Sequence, residues 1–202
     1  GGFSMNKAYI FILGGTSTIT LSIFLFVLAP RVQIIDVNEK GISAQEPYSE
    51  IELKGRQTYM ENGCIYCHSQ QVRDPSVGAD KYFGWGRPSK PSDYIHDEPH
   101  LLGTMRTGPD LSNIGSRQPS KDWHHLHFYN PRILVKWSIM PRFSFLYEEI
   151  SSNESPAENA IRVPGEESQW IIPSQEAEAL VAYMLSLRRD RDPEAVQKES
   201  KQ

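Results

Sequence analysis

Two cysteines, Cys64 and Cys67, are the only ones in the chain, and His68 follows the second directly. Together Cys64-Ile65-Tyr66-Cys67-His68 reads C-x-x-C-H, the attachment sequence for a c-type haem. The spacing suits the chemistry. Two thiols add to vinyl groups on neighbouring pyrroles, and the adjacent imidazole is then held beneath the iron. A zinc site would need four ligands, and no second cysteine pair exists to complete one. A thioredoxin-like redox pair sits in an α/β pattern, and no alternation of strands and helices is visible. With both cysteines in one local motif, no disulfide framework holds the fold.

An iron ligated by His68 needs a second axial ligand from farther along. Candidates are Met60, Met105, Met140, Met184 and five other histidines. Met60 and Met184 fall within helical patterns, where methionine more often fills gaps in a core. Met140 lies in Ser138-Ile139-Met140-Pro141-Arg142-Phe143, on a loop stiffened by Pro141, and is favoured; Met105 is its main competitor. Met105 precedes Arg106-Thr107-Gly108-Pro109-Asp110-Leu111, a segment expected on the His68 side. A carbonyl near Pro109 would accept a hydrogen bond from His68 Nδ1 and fix the tautomer. Gly108 and Leu111 are expected beside it in the same pocket.

Haem carries two propionates, and carboxylates taken out of water need donors. Arg106, Arg117, Arg132 and Arg142 are the candidates, one or two of them in that role. Trp123-His124-His125-Leu126-His127 invites a metal reading, but its spacing does not put all three imidazoles on one helix face. Packing and hydrogen bonding near the haem edge is the expected role, with Trp123 a pocket residue.

These residues need elements to position them. Residues 48–62 read as a helix with Ile51, Gly55 and Tyr59 on one face, ended by Gly63 directly before the motif. Residues 70–103 are dense in Gly, Pro, Asp, Tyr and Trp without a period, and predict irregular structure. Short helices are expected at 123–129 and 131–137, the second opened by Pro131. Residues 151–169 read as an acidic loop. The last helix opens at Pro173-Ser174 and carries Glu176 and Glu178 near its start. Its apolar stripe is Leu180, Tyr183, Met184 and Leu187, with Arg188 and Arg189 suited to the negative end of the dipole.

Ahead of all this, residues 8–29 contain no charge over about 22 positions, ~33 Å of helix and enough to cross the hydrocarbon core. That run exceeds the core of a cleavable signal peptide, and no A-x-A-like site follows it. A retained anchor is expected, with small residues at Gly14, Gly15 and residues 16–18 that would admit a neighbouring helix. The division is therefore an anchor at 1–30, a polar connector at 31–47, a haem domain at 48–190 and a charged tail at 191–202. The net charge of −4 and the pI of about 5.9 give no basic footprint, so nucleic acid is not an expected partner. Fourteen glycines and 14 prolines fit a loop-rich domain.

Four ordered blocks then carry a family resemblance: residues 63–73 (G-C-I-Y-C-H-S-Q-Q-V-R), 101–111 (L-L-G-T-M-R-T-G-P-D-L), 123–132 (W-H-H-L-H-F-Y-N-P-R) and 138–143 (S-I-M-P-R-F). They closely resemble the mono-haem subunit II of cbb3-type cytochrome c oxidases. The resemblance implies an all-α architecture: a transmembrane helix, then a class I cytochrome c domain with long irregular loops on the periplasmic side of the inner membrane. It also implies one covalent haem c with His68 and Met140 as iron ligands. The partners implied are a catalytic haem–copper subunit and a further cytochrome c subunit or soluble cytochrome c. Electrons would pass from upstream cytochromes to the oxidase, with no catalytic site on this chain. In that fold Gly55 and Tyr59 would meet Leu180 and Tyr183. Mono-haem subunits of nitric oxide reductases share the anchor, C-x-x-C-H and M-P, but not the S-Q-Q-V-R and N-P-R blocks. A haem enzyme or sensor with an open sixth site is the other alternative.

Overall fold

Ser49 begins the helix that leads to the motif, because its N–H is taken by the Glu52 carboxylate at 2.7 Å before the helical ladder starts. The computed structural model describes residues 5–32, 45–166 and 168–191. Most of the connector, residues 1–4 and nearly all of the charged tail lie outside the described residues.

The N-terminal helix α1 (Met5–Ile23) runs on through a π-helical turn (Phe24–Leu28). From Lys7 to Val32 it is 26 residues long and contains an 18-residue window of mean hydropathy 2.1, long and apolar enough to span a membrane. Two of its hydroxyls bond within the helix: Thr16 donates to the Ile12 carbonyl at 2.7 Å and Thr18 to that of Gly14 at 2.8 Å. Such internal bonding is what a helix in lipid requires of polar groups.

Helix α2 (Glu50–Glu61) stops at Gly63, whose φ of 67° gives the left-handed turn that releases the chain into Cys64–Tyr66. Two short helices follow the irregular stretch, α3 (Ile114–Arg117) and α4 (Lys121–Tyr129), the latter capped by Ser120. After α4 the helix expected at 131–137 is only a single 3-10 turn, Pro131–Ile133. The β-branched and aromatic residues that follow do not sustain a longer helix. Helix α5 (Gln175–Ser186) opens on Ser174, whose hydroxyl accepts from the Ala177 N–H at 3.2 Å.

The architecture is helix-rich but not all-α. Strands β1 (Tyr147–Ser151), β2 (Ile161–Arg162) and β3 (Gln169–Pro173) form a small antiparallel sheet in the order β1-β3-β2. Its strands bracket the segment expected to be acidic loop and enter it only at Ser151, Ile161, Arg162 and Gln169. The reason for the sheet lies in the residues between the glutamates: Tyr147, Ile150, Ile161, Trp170, Ile171 and Ile172 favour a pleated surface. Ile171 is fully buried on one face, while Glu148 and Glu149 stay in water. The adjacent Glu148 and Glu149 break the period of two in β1, and strands this short hide it elsewhere.

The core is organised by the crossing of α2 and α5. Gly55 lies on the α5 backbone so closely that a Cβ would fall 1.8 Å from the Ala179 carbonyl oxygen. The Tyr59 and Tyr183 rings meet edge to face with centroids 5.7 Å apart, and Leu180, Met184 and Leu187 are all buried. Thus Gly55 and Tyr59 do meet the α5 stripe.

Arg189 departs from the dipole role. It is 2% exposed, donates to Asp97 at 2.7 Å and to the Asp93 carbonyl at 2.8 Å, and lies over the Tyr94 ring. A carboxylate, a backbone carbonyl and an aromatic ring from the irregular 70–103 stretch thereby fasten it to the end of α5. Arg188 keeps the expected role, with Nε donating to the Leu185 carbonyl at 3.0 Å.

Replacing Gly55 with Ala should force α2 and α5 apart and destabilise the fold by about 1–3 kcal/mol, the usual cost of overpacking. Denaturant unfolding of the variant against wild type measures this, and an unchanged midpoint would contradict the tight crossing.

Candidate haem site

Residues 67–71 and 108–112 run alongside each other and are laced together. The Gly108 N–H donates to the Cys67 carbonyl at 2.9 Å, and the Leu111 N–H to that of Ser69 at 2.8 Å. Within this pairing His68 Nδ1 lies 2.8 Å from the Pro109 carbonyl oxygen. A carbonyl only accepts, so Nδ1 carries the proton and Nε2 presents its lone pair. Gly108 lies directly against the ring: a Cβ there would stand 2.3 Å from Cε1 and 2.8 Å from Nδ1. Gly103, at φ 68°, backs the His68 carbonyl, where a Cβ would come within 2.5 Å. Burial holds the His68 imidazole below its ordinary pKa, against the Pro109 hydrogen bond that favours the cation.

Cys64 is half-buried and Cys67 exposed, and the two are not bonded to each other. Burial pushes the Cys64 thiol up to about 12, so it is no ready thiolate. That is the opposite of what a redox-active C-x-x-C needs. Among the described residues no group of three His, Cys, Asp or Glu side chains could hold a metal ion.

On the other segment, Arg132 Nη1 donates to the carbonyls of Ser138 at 2.7 Å and Met140 at 3.1 Å. The Phe143 N–H donates to the Phe128 carbonyl at 2.9 Å, tying the Met140 loop to the end of α4. Met140 is half-buried against the core and Pro141 is exposed. Met105 is 58% exposed, and Met184 belongs to the core.

His127 lies on α4 near enough to His68 for the two to interact electrostatically. Its ring stacks on Trp123 with centroids 4.6 Å apart, and His68 is close enough to help depress its pKa. Burial is the larger cause, and the value falls to about 4. Its Nδ1 is sealed from solvent without a hydrogen-bond partner, a polar atom waiting at the edge of the site. His124 and His125 are engaged elsewhere, with the Gln118 carbonyl at 2.8 Å and the Tyr147 hydroxyl at 3.2 Å.

The arginines divide differently from the sequence expectation. Arg106 spends its donors on the protein: Nε on Ser69 Oγ at 2.7 Å, Nη2 on the Gln71 carbonyl at 2.6 Å, and Nη1 on Asp80. Arg117 bonds the Asp110 carbonyl. Arg132 holds the methionine loop, and Arg142 is exposed. Nothing in the residues singled out Asp80 or Gly103, since each acts through contacts distant along the chain.

The residues fit a haem. Two unpaired thiols share a turn with an imidazole whose tautomer is set for ligation, and glycine leaves the ring unobstructed on its side. Large apolar side chains stand exposed on both segments, Tyr66 at 75% and Ile139 at 76%. A flat apolar macrocycle is the kind of ligand that covers such a surface.

A family model described as cytochrome c oxidase, mono-heme subunit/FixO matches residues 4–164. The chain belongs to this family. The resemblance drawn from the four sequence blocks is thereby upheld: the protein is a mono-haem cytochrome c oxidase subunit, and membership implies one haem. No curated protein matches the chain.

The buried His124 gives the domain a pH dependence. Burial lowers its pKa from 6.5 to about 4, against the Gln118 hydrogen bond. The unfolded chain therefore binds a proton that the folded one refuses. Stability from this group is full above about pH 6.5 and is lost as the pH falls towards 4. Denaturant unfolding should show about 2 kcal/mol less stability at pH 5 than at pH 7 from this residue. A His124→Gln variant should show a correspondingly flatter profile; equal slopes would contradict the assignment.

Proposed function

We propose that this subunit transfers electrons from upstream cytochromes to the catalytic subunit of a cbb3-type haem–copper oxidase. Cys64 and Cys67 would hold one haem c covalently, and His68 and Met140 would ligate its iron. The observation that carries this reading is the His68–Pro109 hydrogen bond, with Gly108 against the ring and the two thiols in the preceding turn. When bound, the haem supplies a one-electron iron couple.

The chain's own residues account for the rest. Pro109 orients His68 and raises its basicity as a ligand. Arg132 holds the Met140 segment by the Ser138 and Met140 carbonyls, which would keep the thioether available to the iron and speaks against a vacant ligand site. Thioether ligation raises the potential, as befits a carrier feeding a terminal oxidase. Gly108, Leu111 and Trp123 line the pocket, and the unpartnered His127 Nδ1 is a better placed donor for a propionate than Arg106.

A class I cytochrome c domain over residues 48–190 is supported by the α2–α5 crossing next to the attachment motif. The anchor at 1–30, connector at 31–47 and tail at 191–202 complete the proposed division. The apolar helix supports a single-pass membrane anchor, with the haem domain on the periplasmic side of the inner membrane. The other proposed partner is a further cytochrome c subunit or a soluble cytochrome c. The family match to an oxidase subunit weighs against a nitric oxide reductase.

The test is the visible spectrum of the purified complex's mono-haem subunit. The reduced form should be low-spin and unchanged by carbon monoxide. Met140→Ala should become high-spin and bind carbon monoxide, while Met105→Ala keeps the wild-type spectrum. The reverse result for the two methionines, or rapid carbon monoxide binding by wild type, would overturn the ligand assignment.

A further inference from the structure

Behind His68 lies a buried group of charges. Asp110 is fully buried and follows Pro109, whose carbonyl bonds the imidazole. Its carboxylate accepts from Ser69 Oγ at 2.6 Å, from the Gln71 N–H at 2.8 Å and from the Ser112 N–H at 2.8 Å. Ser69 is the residue directly after His68, so the carboxylate is bonded to both strands that carry the ligand and its acceptor. Arg106 Nη2 stands 3.8 Å away and Arg106 Nη1 bonds Asp80, itself buried. Arg117 contributes the second cation, through the Asp110 carbonyl. Two carboxylates and two guanidiniums are thus held in low dielectric beside the imidazole, where each charge acts over a distance that water would otherwise screen.

The Cys67–Gly108 and Ser69–Leu111 backbone bonds hold the two segments in register. The Gln71 N–H bonds one Asp110 oxygen and the Ser112 N–H the other, a pair that an amide with a single acceptor oxygen could not match. The carboxylate makes both bonds and also brings a charge.

We propose that Asp110 is a potential-setting residue: a fixed negative charge behind His68 that lowers the reduction potential of the haem, with Arg106 as its counterweight and Asp80 acting in the same sense as Asp110. The proposal rests on His68 being the iron ligand. Reduction adds one electron, taken from a one-electron donor protein, with no bond made or broken and no proton required. A neighbouring carboxylate favours the state with one more positive charge, which is the oxidised state. Thioether ligation pushes the potential up, and Asp110 trims it back towards that of the donor.

Potentiometric titration of the full-length subunit in its purified complex tests this, read at the reduced haem band. In Asp110→Asn the reduced-to-oxidised ratio at the wild-type midpoint should rise at least threefold, about 28 mV at 59 mV per tenfold for one electron. Asp80→Asn should shift in the same direction and Arg106→Gln in the opposite one, all with the wild-type low-spin spectrum. Loosened packing would let water reach the haem and lower the potential whichever charge was removed, so opposite signs separate electrostatics from damage. No shift, or a fall, in Asp110→Asn overturns the proposal. If that variant fails to load haem, equal signs for Asp80→Asn and Arg106→Gln overturn it instead. A wild-type subunit without low-spin haem would defeat the ligand assignment, a separate result seen before any variant is made.

Discussion

The hydrogen bond from His68 Nδ1 to the Pro109 carbonyl ties together two segments 41 residues apart, and the domain is arranged around keeping them together. An imidazole that ligates iron must hold one tautomer and one ring plane, and a flexible side chain supplies neither alone. The backbone ladder from Cys67 to Leu111 fixes the spacing, Gly108 and Gly103 let the segments approach, and Asp110 bonds both. Because the carbonyl belongs to a segment with no secondary structure of its own, its position depends on what lies beneath it.

Beneath it is the α2–α5 crossing. Gly55 allows one helix to rest on the backbone of the other, and the Tyr59–Tyr183 contact fills the space beside that point. The stretch 70–103 is fastened to the far end of α5 by Arg189, a cation kept inside the domain by Asp97 and the Tyr94 ring. Leaving either charge without the other would be costly in this setting, commonly ~3–5 kcal/mol. This explains how a domain with no disulfide and little regular structure between residues 62 and 114 can still present a fixed site. On the other side, Arg132 does for the Met140 loop what Pro109 does for the imidazole: it bonds carbonyl groups of a short segment and holds it to the end of α4.

Much of this was legible in the residues. The attachment motif is local, so Cys64, Cys67 and His68 needed no fold to be found, and the helix leading into Gly63 followed from its cap and its spacing of four. The Pro109 carbonyl was readable because proline fixes the turn that presents it. Features that depend on distant contacts were not readable. Arg189 looked like a helix-end cation because its partners, Asp97 and Tyr94, lie more than 90 residues earlier. Arg106 looked free for a propionate because Asp80 and Ser69 are likewise remote. The small sheet was hidden because its strands are only two to five residues long and the adjacent Glu148 and Glu149 break the alternation in β1.

The central claim is a covalent bond between both cysteines and one haem, and mass spectrometry of the subunit isolated from its membrane complex tests it most directly. After denaturation and proteolysis, the peptide containing residues 64–68 should carry the mass of a single haem, with neither thiol open to alkylation. A peptide of unmodified mass with two alkylatable cysteines would contradict the account.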